Sequence, residues 1–570
     1  MSSDFQVVGT NASAQFTLKL HRGEGMLLLA MNWKQGTPPR NFVGFAIEYR
    51  EPNGEEVFAL KNRLTFKGID GTVNPEALST RLSPIQKFRW VHFPHNPEIP
   101  GDFTYIVTPV FMDHAGTLEY GVAQEAKIQL MRETYPSELN VAFTRGFVSS
   151  QAFVDEYQKY GPISELLPSK PAEGLSFKPT HPKADQALAW MGFESRAAIL
   201  NVLDKAVDDS DANVRVIAYD LNLPEVVDRL EKLGPRLQII IDNSGEHAGP
   251  GSAEAAAEIR LKQSAGAENV KRQHVLDLQH NKTIIVDSPQ QKLVVCGSTN
   301  FSWRGFYVQS NNAVILNGDT AVSIFRAAFE EYWSKPASDF GKSTSAKQAT
   351  IGLASLKPVV TFSPHSPDNA QLDAIANDMR IGTSSSLLFS LAFLYQTGGA
   401  VHDAVKTLIE DDKIFVYGIS DREVGGLDVQ QPDGNVAPVY PEALTKDVPE
   451  PFSAEPTGGA GVRMHHKFVV VDFDKPTARV YTGSYNFSSP ADTKNGENLL
   501  LIKDRRVATS YMVEALRIFD HYRFRVVQHN ASDARSELTL ERAPQSDAEN
   551  PWWLEDYEDS RKIKDRELFA

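Results

Sequence analysis

Cysteine is nearly absent from this sequence of 570 residues, with Cys296 the only one. A single thiol cannot form an internal disulfide, and it cannot supply the sulfur ligands of a zinc site. Cys296 lies in the apolar run KLVVCGS, which predicts a buried core thiol and not a nucleophile. The composition therefore excludes a disulfide-stapled scaffold and permits a reducing compartment.

Long hydrophobic runs are also missing. The longest early apolar stretch, MLLLAMNW, is well short of the ~20 residues that cross a bilayer. The N-terminal residues contain no basic segment followed by an apolar one, which is the pattern of a secretory signal. We therefore expect no transmembrane segment, and a protein that is cytoplasmic or exported without an N-terminal signal peptide.

Positive charge is outnumbered by negative charge. The chain has 58 Lys and Arg against 73 Asp and Glu, for a formal net charge of −15. Proteins that hold duplex nucleic acid usually present a basic stripe, because phosphate neutralisation supplies the affinity. The excess of negative charge makes nucleic acid the less favoured partner, and it argues against unaided adhesion to anionic lipid. It does not exclude a local basic pocket.

The first 135 residues have the sequence pattern of an all-β domain. FVGFAIEYR at 42–50 alternates in polarity, FTYIVTPVFMD at 103–113 is rich in β-branched and aromatic residues, and turn sequences such as PNGEE and DHAGT lie between. This pattern predicts a β-sandwich, and it is weakly similar to immunoglobulin and fibronectin type III domains. We expect a spacer or docking role for residues 1–135.

Helices and strands alternate after this domain. The segment 136–180 reads as a linker, and the same order of elements then occurs twice, at 181–345 and 346–535, before a tail at 536–570. Alternation of this kind predicts an α/β fold with mixed sheets. We expect two pseudo-symmetric α/β units preceded by the all-β domain.

The repeat extends to individual polar residues. QHNKTIIVD in the first unit matches MHHKFVVVD in the second, and each is followed by Gly-Ser-x-Asn-Phe-Ser. The paired residues are His280, Lys282, Asp287, Gly297, Ser298 and Asn300 in the first unit, and His465, Lys467, Asp472, Gly483, Ser484 and Asn486 in the second.

The spacing of these residues gathers them on one surface. Side chains two residues apart on a strand share a face, so His280 lies beside Lys282 and His465 beside Lys467. The strand that follows in each unit ends in Gly-Ser-x-Asn, and its serine and asparagine are expected to lie near the histidine and lysine. Two such units facing each other would form a pocket with two cations and several neutral donors, which suits a phosphate group without a metal ion.

The duplicated His-x-Lys-x4-Asp motif resembles that of the phospholipase D superfamily, over roughly residues 180–530. The resemblance implies a metal-independent phosphodiesterase with no cofactor, in which one imidazole forms a phosphohistidine and the other acts as general acid and base. By this analogy His280 is expected as nucleophile and His465 as acid and base, although near-symmetric motifs do not fix that order.

The remaining motif residues receive expected roles on the same basis. Lys282, Lys467, Asn300 and Asn486 would hold phosphate oxygens, and Ser298 and Ser484 would support them. Asp287 and Asp472 would orient the histidines, and Glu497, with Asn312 at the matching place of the first unit, would act similarly.

Several residues have a plainer interpretation. His247, in the loop NSGEHAGPGSA, is expected to be a solvated loop histidine, with a place in the pocket as the alternative. Trp552 and Trp553 are expected to pack on a domain and not to dip into lipid. Apart from the motif histidines, no His, Asp or Glu cluster shows ligand spacing, so no metal site is predicted.

The substrate class rests on the surroundings of the motifs. The segment from Ser420 to Met464 reads as a long acidic loop rich in Pro and Gly, feeding into His465, which favours a lid over a lipid or small phosphodiester. We expect cleavage, or transfer, of a phospholipid headgroup, with transient membrane-surface contact. A nuclease of the same fold, and a module that only binds a phosphorylated partner, are the alternatives.

The two adjacent histidines of RMHHKFVVVD can be ranked by the repeat. Asn281 occupies the place of His466 in the first unit, so His466 is the variable position. We expect His466 to face away from the lysine and to have a packing or hydrogen-bonding role.

Overall fold

The computed structural model describes residues 4–68, 72–74, 76–130, 133–146, 150–392, 394, 398–422, 426–440, 464–534 and 537–570. Four sheets account for the named strands of this part of the chain. The first two sheets form the all-β region, and each of the other two is the centre of one α/β unit.

The all-β region contains two antiparallel sheets whose strands all lie between residues 6 and 129. One has the order β1-β2-β3-β6; the other has the order β5-β4-β7-β8, with β9 also paired to β7. Apolar residues of both sheets, such as Leu18, Leu29, Phe45 and Tyr105, share one core. The strands are β1 Gln6–Val8, β2 Phe16–Arg22, β3 Leu27–Trp33, β4 Phe42–Arg50, β5 Phe58–Ala59, β6 Arg89–His92, β7 Asp102–Met112, β8 Leu118–Tyr120 and β9 Gln124–Gln129.

The first α/β unit is built on a seven-stranded mixed sheet with the order β10-β16-β15-β14-β11-β12-β13. The strands from β11 to β13 are parallel, and the other pairs are antiparallel. Fully buried runs such as TIIV in β14 supply its core. The strands are β10 Leu139–Phe143, β11 Asn213–Ala218, β12 Leu237–Ile241, β13 Val270–Arg272, β14 Lys282–Asp287, β15 Lys292–Gly297 and β16 Asn312–Asn317.

The second unit repeats this arrangement in a nine-stranded sheet with the order β17-β18-β25-β24-β23-β19-β20-β21-β22. Its parallel pair is β19 with β20, which matches β11 with β12. The strands are β17 Ala349–Thr350, β18 Val359–Ser363, β19 Ser386–Leu391, β20 Phe415–Asp421, β21 Leu427–Gln430, β22 Val436–Val439, β23 Lys467–Val471, β24 Arg479–Gly483 and β25 Glu497–Ile502.

Helices cover the faces of both sheets. The longest, Arg505–Asp533 (α9), is buried along most of its first five turns and packs on both units. Among the described residues, no helix combines the length and the apolarity that crossing a membrane requires. The α-helices are α1 Ser150–Tyr157, α2 Ala184–Asp208, α3 Pro224–Leu233, α4 Ala253–Ala265, α5 Asp319–Ser334, α6 Leu372–Gly382, α7 Ala400–Ile409, α8 Ser489–Thr493, α9 Arg505–Asp533, α10 Glu555–Glu558 and α11 Ser560–Phe569.

The C-terminal tail packs on two parts of the molecule. Trp553 is 4% exposed in the core of the all-β region, and the Trp552 ring lies 5.3 Å from that of Phe88. Phe569 stacks on Phe473 of the second unit at 5.3 Å. The tail therefore joins the all-β region to the second unit, and both tryptophans pack on protein as the sequence predicts.

Two segments differ from the sequence interpretation. Part of the predicted linker is strand β10, which completes one edge of the first sheet by pairing with β16. Part of the predicted long loop after Ser420 is the hairpin of β21 and β22, which extends the second sheet. Residues 423–425 and 441–463 of that loop lie outside the described residues.

Candidate active site

His280 and His465 lie together where the two units meet. Each lies two residues before its motif lysine, which begins a strand, and the centres of the two rings are 6.2 Å apart. Both residues are 5% exposed. The two motifs, 185 residues apart in sequence, therefore contribute to one site.

Each histidine is held by a residue of the opposite unit. Nδ1 of His280 lies 2.7 Å from Oε2 of Glu497, and Nδ1 of His465 lies 2.8 Å from Oδ1 of Asn311 and 3.0 Å from the carbonyl oxygen of Ser298. Because these partners accept, Nδ1 of each ring carries the proton. Nε2 of neither ring has a hydrogen-bond partner within the part of the chain described.

Backbone pairing explains this reciprocal arrangement. The residue before His280 bridges the residue before Glu497, and the residue before His465 bridges the residue before Asn311; both bridges are parallel. The amide of His465 donates to the carbonyl of Ser310 at 3.2 Å, and that of Gly496 to the carbonyl of Leu278 at 2.8 Å. The backbone thus brings each ring beside the partner that binds it.

The glycine of each Gly-Ser pair permits the close approach of two strands. Gly297 and Gly483 have φ values of 129° and 135°, a region that side chains rarely adopt. A Cβ atom would lie 2.6 Å from the carbonyl oxygen of Asn312 at the first position and 2.3 Å from that of Asn498 at the second. No other residue fits these positions without moving β16, which follows Asn311, or β25, which begins with Glu497.

The motif lysines are almost fully enclosed. Lys282 and Lys467 are each 1% exposed, and each ammonium donates to the carbonyl oxygen of its own motif histidine, at 2.8 Å for Lys467. Lys282 Nζ also lies 4.7 Å from the centre of the Tyr219 ring. Burial lowers the pKa of Lys282 to about 8, and burial together with the charge of Lys282 holds the pKa of Lys467 well below its usual range.

The two histidines differ in electrostatic environment. Burial lowers the pKa of both, and the charges of Lys467 and Lys282 lower that of His465 further. The carboxylate of Glu497 opposes this effect at His280. His465 has only neutral acceptors at Nδ1, so its pKa lies well below the ordinary value.

The serines and asparagines of the second motif strand also lie in this region. The hydroxyl of Ser298 donates to Asn311, and that of Ser484 accepts from the amide of Asn498 at 3.0 Å. The side-chain oxygens of Asn300 and Asn486 are buried and have no hydrogen-bond partner among the described residues. A buried amide oxygen without a partner is rare in a folded protein, and it is consistent with a side chain that meets a ligand.

The motif aspartates do not contact the histidines, which corrects the role expected for them. They end the strands, several residues past the site. Asp287 pairs with Lys292 and with Arg326, the latter at 2.6 Å. Asp472 accepts the backbone amides of Ser384 at 2.9 Å and Ser385 at 2.8 Å. Their spacing fixes them in the sheet, where they bind neighbouring segments.

The match of Glu497 with Asn312 is also wrong by one residue. Asn311 is the counterpart that contacts His465, whereas the amide nitrogen of Asn312 donates to Thr482 and to Tyr511, each at 2.8 Å. Counting from the motif glycines gives the correct match, because Asn311 follows Gly297 and Glu497 follows Gly483 by the same 14 residues (311 − 297 and 497 − 483).

His466 has the hydrogen-bonding environment that the repeat predicts. It is fully buried, its Nε2 lies 2.9 Å from Oε1 of Glu514, and Glu514 also binds Arg517 at 2.8 Å. Its neighbour His465 forms hydrogen bonds to the opposite unit through the imidazole, at Asn311 and Ser298, whereas the His466 ring packs against Phe143 of that unit at 5.8 Å.

His247 lies in a cluster that the sequence interpretation missed. Its Nδ1 is 2.8 Å from Asp242 and its Nε2 3.1 Å from Asp220, with Glu254 at 4.0 Å. Asp220, His247 and Glu254 could together offer ligands to a metal ion. The pairs with Asp220 and Asp242, against the effect of burial, raise the pKa of His247 to about 10, so an imidazolium already supplies the positive charge there.

Tyr219 connects this cluster to the site. Its ring lies 4.6 Å from that of His247 and 4.7 Å from that of His280. Asp220 follows it at the end of β11, and its charge acts on Lys282 and Lys467. The only sequence signal for this pair is its place after a buried strand of the first unit, where polar residues gather at the sheet edge.

Comparison with known proteins shows that one family model matches a segment of each α/β unit. The PLD-like domain of cardiolipin synthase matches residues 199–333 and 402–519. The phospholipases D of Rickettsia prowazekii and Rickettsia felis are 46% and 44% identical over 48 residues, which is 8% of this chain and 22% of each relative. The match thus spans about a fifth of these relatives.

Two solved structures are also similar. Phosphatidylserine synthase from Haemophilus influenzae Rd KW20 is 12% identical over 60% of this chain and 92% of its own, with a TM-score of 0.43. The phospholipase D family member Nuc from Salmonella typhimurium is 26% identical over 24% of this chain and 86% of its own, with a TM-score of 0.20. With the family match in both units, the fold is PLD-like, with mixed α/β sheets preceded by an all-β region.

Proposed function

Since both units have the PLD-like fold, we propose that the chain is a phosphodiesterase that uses His280 and His465 on the headgroup phosphodiester of a phospholipid. The observation that best supports this proposal is the pair of buried imidazoles. Each is held through Nδ1 by a residue of the other unit, and two lysines lie beside them. Ring centres 6.2 Å apart leave space for one phosphorus atom between the two Nε2 atoms.

In the proposed first step, Nε2 of His280 attacks phosphorus and the bond to the headgroup oxygen breaks. For this step His465 is the imidazolium, protonated at both nitrogens; its Nε2 proton passes to that oxygen, and the headgroup leaves as an alcohol. The resulting phosphoimidazolium is positively charged, and the carboxylate of Glu497 at Nδ1 stabilises it. The low pKa of His465 in the free site favours release of this proton, and the negative charge of a bound phosphodiester would favour its uptake beforehand.

In the second step, His465 takes a proton from water, whose oxygen attacks phosphorus and breaks the bond to His280. The products are phosphatidate and the free enzyme. If an alcohol takes the place of water, the same step transfers the phosphatidyl group, and the matched family model bears the name of a synthase. Lys282, Lys467, Asn300 and Asn486 would bind the phosphoryl oxygens throughout.

No step of this proposal requires a metal ion. The charge that would stabilise the phosphoryl oxygens comes from Lys282 and Lys467, which lie within the site. Asp220, His247 and Glu254 lie beside it, but a metal ion there would have to displace the proton that His247 holds between carboxylates.

The direct test uses the full chain on liposomes of phosphatidylcholine, phosphatidylethanolamine or phosphatidylglycerol, with EDTA present. We expect release of the headgroup alcohol and formation of phosphatidate, with a phosphatidylalcohol appearing when ethanol is added. His280→Asn and His465→Asn should each abolish the reaction. Cleavage of plasmid or single-stranded DNA with intact lipids would favour the nuclease alternative instead, and turnover of neither substrate would contradict the proposal.

A further inference from the structure

A cleft of about 510 Å³ lies between the all-β region and the α/β units, away from the paired histidines. Residues from three parts of the chain line it: Arg63, Lys87, Trp90, Phe93 and His95 from the all-β region, Arg145 and Trp190 from the first unit, and Arg517, Asp520 and His521 from helix α9. Its volume is that of a small-molecule site. We call it the interdomain cleft.

The interdomain cleft has more positive than negative charge, although the whole chain is acidic. Arg517 is paired with Glu514, and Asp520 is paired with Arg89 at 2.6 Å. Arg63, Lys87 and Arg145 have no ion pair with a described residue. Asp520, already paired with Arg89, also acts electrostatically on Arg63 and Lys87, and Glu194 acts on Arg145. Positive charge still exceeds negative charge where the three cations converge on this space.

Arg145 is the most unusual of the three. Its guanidinium lies over the rings of Phe93, Trp190 and Phe193, at 5.2, 4.5 and 4.3 Å from their centres. Its Nε is buried and has no hydrogen-bond partner among the described residues. Burial and the charge of Arg517 lower the pKa of Arg145 to about 10, so it remains charged at neutral pH. Aromatic faces hold the guanidinium in place, while its donors remain available.

The cleft also offers surfaces for an uncharged part of a ligand. Trp90 and Phe93 line it from the all-β region and Trp190 from the first unit. A second cavity, of about 430 Å³, shares His95, Arg145 and Trp190 with it. Indole and phenyl faces accept planar rings and acyl chains alike.

We propose that the interdomain cleft binds a phosphate-bearing small molecule, whose phosphate meets Arg63, Lys87 and Arg145 and whose planar or apolar part lies against Trp90 and Phe93. Arginine and lysine converging on one space match phosphate oxygens in charge and in hydrogen-bond geometry. Because the all-β region supplies more than half of the lining, this proposal also gives that region a ligand-binding role.

Short chains of hydrogen bonds connect the interdomain cleft to the residues around His465. Arg517 donates to the backbone oxygen of Arg145 at 3.1 Å and binds Glu514, which holds His466. Thr144, next to Arg145, accepts through its hydroxyl from the amide of Asn311 at 2.9 Å, and Asn311 holds His465. A ligand in the cleft thus lies close to the residues that position a site histidine.

The test measures binding by titration calorimetry, so it does not depend on turnover. The probes are pyrophosphate, ATP, and a short-chain phosphatidate below its micelle concentration, each titrated into the full chain. Pyrophosphate and ATP represent a free phosphate and a nucleotide, and the phosphatidate represents a lipid headgroup. We expect at least one probe to bind with a dissociation constant below about 1 mM and with one-to-one stoichiometry.

Two double variants of equal charge change locate the site. Arg63→Ala/Lys87→Ala removes two exposed cations of the cleft, and should weaken binding about tenfold or more. Lys61→Ala/Lys127→Ala removes two exposed lysines of the same all-β region outside the cleft, and should leave affinity within about twofold. Both variants must melt at the wild-type temperature.

The outcomes separate the proposal from general charge attraction. Binding that is lost in the cleft variant and kept in the control supports it, and a preference for ATP or for phosphatidate over pyrophosphate identifies the source of the phosphate. Absence of binding by all three probes, or equal binding by both double variants, overturns it.

Discussion

The imidazole of His280 and the carboxylate of Glu497, 217 residues apart in sequence, form a buried hydrogen bond of 2.7 Å across the two units. Glu497 is fully buried, so the low polarity around the pair strengthens its effect on the imidazole. At the matching place, His465 has the neutral amide of Asn311. The site is thus symmetric in backbone and asymmetric in charge.

Exchanging charge at these two partners should affect the two proposed steps differently. Glu497→Gln keeps an acceptor near Nδ1 of His280 but removes the charge that would stabilise a phosphoimidazolium, so kcat should fall about 100-fold or more. Asn311→Asp adds a carboxylate at His465 and should raise its pKa. Phosphoenzyme trapped after acid-free quenching should map to residue 280, and label at residue 465 would reverse the assigned roles.

The charge of Lys282 predicts a basic limb in the pH profile. Its pKa is lowered to about 8, so the ammonium loses its proton as pH rises through that value and the attraction for phosphate is lost. We expect kcat/KM to fall above about pH 8, since this ratio reports the free enzyme. Lys282→Arg remains charged, and should move the fall to higher pH even if its maximal rate is lower. An unchanged limb in that variant would assign the titration to another group.

The two adjacent histidines should separate in a matched pair of substitutions. His465→Asn should lose nearly all activity, about 10⁴-fold or more, because the acid and base is gone. His466→Asn breaks the bond to Glu514 and should lower the free energy of unfolding by about 1–3 kcal/mol, while most activity remains at a temperature where it is folded. Measuring melting temperature and kcat/KM together distinguishes the two roles; equal activity losses with unchanged melting temperatures would contradict the ranking.

Asp472 should behave as a structural residue. It accepts backbone amides of Ser384 and Ser385, so Asp472→Asn removes a buried charge from those donors and should destabilise by about 1–3 kcal/mol. The pair of Asp287 with Arg326 is more exposed, and Asp287→Asn should cost less. Thermal melts and kinetics on both variants check whether the aspartates are structural. A 100-fold loss of kcat/KM without destabilisation would show that they act in catalysis.

Chelation provides a test of the charge at His247. We expect full activity after dialysis against EDTA, because the ion pairs of His247 with Asp220 and Asp242 already neutralise that cluster. Zinc or manganese added at neutral pH should leave the melting temperature unchanged. Activity lost in EDTA and restored by one of these metals would make the cluster a metal centre and contradict the metal-independent mechanism.

The duplicated motifs predicted much of the site because their spacing is local. His280 and Lys282 lie two residues apart, so strand geometry alone brings them together. The two units and their mixed sheets likewise followed from alternating buried runs and helices. The hydrogen bonds from His280 to Glu497 and from His465 to Asn311 join one unit to the other. The residue pattern of a single strand does not predict such contacts, because they depend on how the two units pack.

The wrong predictions share a physical origin. Asp287 and Asp472 belong to the motif in sequence, but the buried strand between histidine and aspartate carries them away from the site. Asp220 follows β11, whereas Asp242 and His247 follow β12, and the two segments meet because β11 and β12 pair in parallel. Strand β10, in the predicted linker, is an edge strand whose partner, β16, lies more than 160 residues later.

The exchange of histidine partners between units has a consequence for how such a chain changes over time. In an assembly of identical subunits, every substitution at a partner position appears twice and both histidines change together. Within one polypeptide, position 497 and position 311 are separate codons, and here one encodes a carboxylic acid and the other an amide. Joining two copies in one gene therefore lets each imidazole acquire its own neighbour without altering the other.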